Sequence, residues 1–427
     1  MLAWIASWAL LVGSILSLGF TLHAFFPARG TRTLVASFAA SMLTIELAAH
    51  HLFAQIAATV VLGMLGGFAE YPGHVAVVVG GVSWLGLSYL IAEGSGARAA
   101  MQSTLSGFVR DWEGPKIPLG LVLLTLPLYR AGVERVRDVV FARVAGRRLK
   151  LDVYKPALPG GPSRRPAILQ IHGGAWVFGD KREQGIPVCT HLAAAGWVAF
   201  NVNYRLSPGA TFPDHLVDLK HALAWIREHA EEYGVDPGFI AVTGGSAGGH
   251  LATMMALTAN DPSYQPGFET ADTSVQAAVP FYGVYDFTNR FGTMPPAFVD
   301  RLLQPHVMKA RIDEEPEKFA AASPLDRIRP DAPPFLVIHG NRDTLAPLRD
   351  AREFVVKLAE VSRSEVFFAE IRGAQHAFDL LVSPRSVPVI EGVERFLNEV
   401  YQRHCEKMGA RPPPLDGLEL PRDAELS

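Results

Sequence analysis

The sequence predicts an α/β domain with a mostly parallel sheet flanked by helices, preceded by an all-α transmembrane region. Three observations carry this. Beyond residue 136, short β-branched and aromatic runs alternate with stretches of helical periodicity, the pattern of a sheet covered on both faces. One alternation, Phe239 to His250, reads strand, glycine turn, helix, with Ser246 at the turn. Ahead of it, residues 1–92 carry only Arg29, Arg32, Glu46 and Glu70 as charged side chains, whereas the remainder has ordinary charge density. Such an asymmetry separates a bilayer-embedded part from a water-soluble one.

Taken in order, Leu2 to Phe26 is an uncharged apolar run long enough to span, and Met1–Trp4 lacks the basic side chain of a signal peptide, so the run reads as a retained span. Leu34 to Phe68 reads as a second span and Val75 to Ala92 as a third. The competing arrangement splits 34–68 at Glu46–His51 into two helices; its first half, Leu34–Ile45, is too short to span, and a re-entrant first half keeps three spans. Glu46 and His50 are four apart, which puts them on one helix face as an expected interior pair locking the bundle. Residues 1–98 thus form a membrane region of about three spans. Residues 99–135 read as an amphipathic, interfacial linker and a candidate cap. Within it Met101, Leu105, Phe108 and Trp112 recur at helical spacing, and Ile117–Leu128 is apolar but too short to span.

The α/β domain is expected over 136–405. Strands are predicted as a hairpin (139–141 and 149–154), then at 167–171, 197–202, 239–242, 275–282, 335–339 and 364–370. Helices are predicted over 188–195, 213–231 and 391–403, and residues 406–427, with Pro412–Pro414, as a disordered tail. A net charge of −3 implies no polyanionic partner, so nucleic acid is not expected. Cys189 and Cys405 have no spacing for zinc or a disulfide framework, and no metal is expected.

The chemistry concentrates at three glycine-rich places. Gly244-x-Ser246-x-Gly248 would lift the serine hydroxyl to the tip of a strand and the N-terminus of a helix. His172-Gly173-Gly174-Ala175-Trp176 follows the strand ending at Ile171. Its Gly173 and Gly174 N–H groups, with that of Ala247, are the expected oxyanion donors. A serine needs a base, and that base needs an orienting carboxylate. His376 lies in the loop beyond the last strand and Asp343 at the end of the preceding one, giving the order Ser246, Asp343, His376. Asp286 also follows a strand and is the second candidate acid. His172, His250 and His339 read as structural.

Residues 136–400 resemble an α/β-hydrolase of the hormone-sensitive-lipase and bacterial carboxylesterase group. The likeness rests on the His172–Trp176 turn with Gly179-Asp180-Lys181, Asn203–Pro208, Phe212-Pro213, Gly244–His250, Tyr282–Asp286, His339–Pro347 and Gly373–Phe378. Two positions depart from the group's pattern. Ala175 stands where a third glycine is common, and Asn203 where aspartate is common, which leaves Arg205 to pair with Asp218 or Asp214. The resemblance implies hydrolysis of small-molecule or lipid carboxylic esters through an acyl-enzyme, without cofactor or metal. Aryl-formamidase-like amide hydrolysis and prenylcysteine methyl-ester cleavage are the enzymatic alternatives; a binding module on a hydrolase scaffold is the non-enzymatic one. The segment Asp286–Leu325, with Phe287, Phe291, Met294 and Phe298, is expected to cap the pocket. Arg29, Arg32, Arg98, Arg110 and Lys116 fall on one side of three spans, so the catalytic domain of this multi-pass chain is expected in the cytoplasm.

Overall fold

The computed structural model of the chain describes residues 1–28, 33–110, 112, 132–144, 146–157 and 164–410. The apolar stretch Ile117–Leu128, the Pro159–Pro162 loop and nearly all of the expected tail lie outside these residues.

Among the described residues eight strands form one sheet: β1 (Val133–Val144), β2 (Arg147–Pro156), β3 (Arg165–Ile171), β4 (Val198–Val202), β5 (Val235–Gly245), β6 (Ala277–Phe281), β7 (Phe335–Gly340) and β8 (Val366–Ile371). Their order is β1-β2-β4-β3-β5-β6-β7-β8. The β1–β2 hairpin and the β2–β4 pairing are antiparallel, and every other pairing is parallel. The central strands are buried along their length, which is why they read as continuous apolar runs rather than alternations.

Both faces are covered. On one, Leu216, Leu219 and Leu223 of a helix at Asp214–Glu228, Leu251 and Met255 of a helix at Ala247–Leu257, and Phe354 and Leu358 of a helix at Leu348–Val361 pack together. On the other, Val188 and Leu192 of Ile186–Ala194 meet Val389, Phe396 and Leu397 of Ser386–Lys407. The linker joins that second layer. Met101, Leu105, Phe108 and Trp112 are buried in it, and Met101 lies against Gly392 so closely that a Cβ there would come within 2.4 Å. These residues therefore back the sheet rather than cap the site. The expected cap at 286–325 is likewise built into the first layer: Phe287 and Met294 are buried in it, with Phe291 and Phe298 packed against it.

The N-terminal region contains α1 (Leu2–Phe25), α2 (Leu34–Glu46), α3 (Ala48–Leu62, prolonged by a π-turn to Gly67) and α4 (Tyr71–Ser95), followed by α5 (Ala97–Thr104). Among the described residues, three helical segments are long and apolar enough to cross a membrane: Leu2–Phe25, Ala48–Gly67 and Tyr71–Thr104. The second expected span, 34–68, is thus two elements. The chain breaks at Leu47 (φ −101°, ψ 21°), and only the second half is long enough to cross. Helices α1 and α4 run parallel. Ser7 Oγ donates to Gly67 O (2.9 Å), Ser14 sits over Gly80, and Thr21 and Ser83 share a 2.8 Å hydroxyl contact. Small residues and hydroxyls allow this close approach, as is usual for helices packed in lipid.

Candidate active site

The site is assembled at the C-terminal ends of β3, β5, β7 and β8, where open parallel sheets place their chemistry. Ser246 joins β5 to the Ala247–Leu257 helix with φ 58° and ψ −120°, a conformation costing a non-glycine residue about 1–3 kcal/mol. The turn holds because its neighbours are small. A Cβ on Gly248 would fall 2.1 Å from Ile171 O. The Ser246 N–H donates to Phe281 O at 3.0 Å, which leaves the hydroxyl half-exposed at the tip.

The His172–Trp176 turn abuts the serine: a Cβ on Gly173 would lie 3.1 Å from Ser246 Cβ. Gly174 has φ 118° and its carbonyl accepts from Val177 and Phe178, so only glycine fits there. One expected donor is engaged elsewhere. The Gly173 N–H donates to Gln184 Oε1 at 2.7 Å. Among the described residues the N–H groups of Gly174 and Ala175 have no acceptor. That of Ala247 opens a helix, where no intrahelical partner exists. Ala175 thus presents an unengaged N–H beside that of Gly174, whereas Gln184 closes off Gly173.

His376 Nδ1 lies 2.7 Å from Asp343 Oδ2. Both are buried, His376 being 4% exposed. Asp343 Oδ1 accepts the N–H groups of Leu345 and Ala346, each at 2.8 Å, and His339 Nε2 stands 3.4 Å from Oδ2. Burial alone would raise the Asp343 carboxyl. The charge and hydrogen bond of His376, then His339 and the Ala346 N–H, hold it below the usual carboxylate range instead. Gln375 Oε1 accepts from the N–H groups of Thr344 and His376, tying the acid loop to the base loop. The Tyr282 ring, 4.5 Å from the imidazole, is pinned by a hydrogen bond from its hydroxyl to Asp379. Asp286 is occupied elsewhere, by Thr288 and by the N–H and guanidinium of Arg290.

The remaining histidines are held as structural groups. His250 accepts from Trp176 Nε1 (3.2 Å) and bonds Ala322 O (2.8 Å), and burial pushes it down to about 3. His172 stacks on Tyr204, and burial lowers it as well. The other departure has a simple resolution. Asn203 bonds both Asp180 and the Lys181 N–H at 2.7 Å, while Arg205 pairs with Asp218 at 2.8 Å and Asp214 at 3.4 Å.

Comparison with known proteins now places the chain. The profile of a family described as BD-FAE matches residues 151–358. Esterase LipQ of Mycobacterium tuberculosis is 45% identical over 296 residues, covering 68% of each chain. The chain belongs to the α/β-hydrolase carboxylesterases. Within that family the probable carboxylic ester hydrolase LipM of the same organism is 49% identical over 269 residues, covering 63% of this chain and 62% of LipM. The alignments thus span roughly two thirds of these relatives. A propionate-bound esterase structure from Thermogutta terrifontis superposes with a TM-score of 0.51 at 29% identity, covering 66% of this chain and 97% of that one. The family's α/β-hydrolase sheet accounts for the architecture described above.

The N-terminal helices touch this site, which the sequence did not signal. Phe38 of α2 packs edge-on to the His376 ring at 5.8 Å. Glu46, at the end of α2, reaches the hydrolase domain, where it forms a buried 2.6 Å pair with Arg385 and accepts from Ser383.

Proposed function

We propose that the chain is a membrane-anchored serine hydrolase that cleaves carboxylic esters through an acyl-enzyme. One observation carries the reading: the 2.7 Å His376–Asp343 pair shares the C-terminal edge of the sheet with the strained Ser246 turn and its facing glycine turn. Ser246 Oγ attacks the ester carbonyl while His376 takes its proton, and Asp343 orients and stabilises the resulting imidazolium. The developing oxyanion is held by the N–H groups of Ala247, Gly174 and Ala175, with Gly173 held by Gln184. His376 then protonates the leaving alcohol, and water, deprotonated by the same imidazole, releases the acid. The esterase names of the relatives support the bond class, and the three apolar helices support the anchor.

The test is a fluorophosphonate probe and p-nitrophenyl butyrate applied to the full chain and to Ser246→Ala. The parent should label and hydrolyse; the variant should not label, and its turnover should fall by ~10³ or more. Labelling of the variant, or retention of its turnover, would show that another residue is the nucleophile. N-formyl anilides run in parallel separate ester from amide specificity.

A further inference from the structure

We infer that the substrate is a membrane-resident ester with a long apolar alcohol, drawn laterally from the bilayer, and that α2 forms the wall on the leaving-alcohol side of the site. This rests on the serine-hydrolase reading and names the substrate class that reading leaves open.

The geometry begins with what α2 is. At 13 residues it is too short to cross a bilayer. One part of it is seated on the membrane helices: Ser37 bonds His23 of α1 at 3.0 Å, and Ile45 packs among Ala24, Ala48, Leu87 and Leu90. Other residues face the catalytic loops. Phe38 meets the His376 ring, Ser41 lies 3.5 Å from Gln375 Nε2, and Glu46 is paired with Arg385. Helix α2 therefore lies between the end of the bundle and the base, in contact with both. The acid loop sits on the same bundle end. Arg342, next to Asp343, pairs with Glu93 of α4 at 3.1 Å, and its guanidinium lies 5.0 Å from the ring of Phe25, the last residue of α1.

The chemistry gives this wall a direction. Attack forms the Ser246–acyl bond, and collapse breaks the bond from the acyl carbon to the alcohol oxygen. The proton taken from Ser246 passes through His376 to that oxygen, so the alcohol leaves beside the imidazole. Phe38 and Tyr282 pack their rings against that imidazole. An aromatic wall gives a small polar alcohol little to bind, whereas an alkyl chain buries apolar surface against it. The bundle on which α2 is seated is apolar outward as well: helices α1, α3 and α4 expose Trp8, Phe53 and Leu85, side chains suited to lipid rather than water.

The experiment uses the full chain in phosphatidylcholine nanodiscs, with dodecyl butyrate dissolved in the disc and ethyl butyrate in the buffer. Dodecyl butyrate should be preferred by about tenfold or more in kcat/KM, and its rate should follow its mole fraction in the disc. Phe38→Ala should lower the dodecyl-to-ethyl ratio by about tenfold, with Phe38→Leu intermediate. Equal or inverted preference in the parent overturns the substrate class, and a ratio unmoved by both variants overturns the role of α2. The parent's surface-dilution behaviour decides the substrate class even where a variant misfolds. The two proposals fail separately. A chain that neither labels with fluorophosphonate nor cleaves ethyl butyrate sinks the hydrolase reading, whereas one that labels and cleaves ethyl butyrate but ignores the dodecyl ester sinks only this inference.

Discussion

At the scale of single residues, the partnership to test is Asp343 with His376. Asp343→Asn keeps the shape but takes away the acceptor that fixes the Nδ1–H tautomer, and His376→Ala removes the base; each should lower ester turnover by about 10⁴. Asp286→Asn should retain most activity, because Asp286 is spent on Thr288 and Arg290. Steady-state kinetics on p-nitrophenyl butyrate checks all three. An inactive Asp286→Asn beside an active Asp343→Asn would transfer the role. Both aspartates follow a strand, and nothing in their local sequence says which of them reaches the imidazole. Gly173 shows the same limit: its glycine turn was plain in the sequence, but the Gln184 side chain that occupies its N–H was not.

Among the elements, the Leu348–Val361 helix carries a pH-dependent burden. Asp350 in its first turn is 1% exposed, and burial raises its carboxyl from 3.8 to about 6. The Asp286 charge adds to this, while the Thr293 hydroxyl, Arg349 and Arg290 oppose it. Between pH ~4 and ~6 the folded chain holds a proton that the unfolded chain has released, so stability falls as pH rises through that window. Above it the full cost of a buried carboxylate remains, at most roughly 3 kcal/mol. Asp350→Asn should therefore raise Tm at pH 8 and change it little at pH 4, which thermal unfolding in detergent at the two pH values checks. A gain of equal size at both would remove the carboxylate from the account. Helix α2 is the element on which hydropathy and structure differ. Its apolar run continues without charge up to Glu46, which favours a single long span over a split at Glu46–His51, and the structure takes the split, at Leu47.

For the whole molecule the prediction concerns sidedness. With α1 and α4 parallel and three crossings, the N-terminus lies at the bundle end far from the hydrolase domain. Arg98 and Arg110 then lie beyond α4 on the hydrolase side, whereas Glu70 and His74 lie at the other end. By the positive-inside tendency the prediction is a cytoplasmic hydrolase domain. Fusion of a fluorescent protein after Ser427 should be bright, and fusion of alkaline phosphatase there inactive. Active phosphatase with a dark fluorophore would invert the topology.

The sequence by itself determined the α/β class, the resemblance to carboxylesterases, the strand order along the chain, the Ser246 turn and the presence of apolar segments of spanning length. These features are local: periodicity, glycine spacing and charge density are complete within a dozen or two residues. Only the tertiary structure brought Asp343 against His376, set Met101, Leu105, Phe108 and Trp112 behind the sheet, and put α2 on the imidazole. Those contacts join positions far apart in the chain, as in the Glu46–Arg385 pair separated by 339 residues. Their energy comes from desolvated charge pairs and side-chain packing, and neither leaves a periodic trace at either end of the contact.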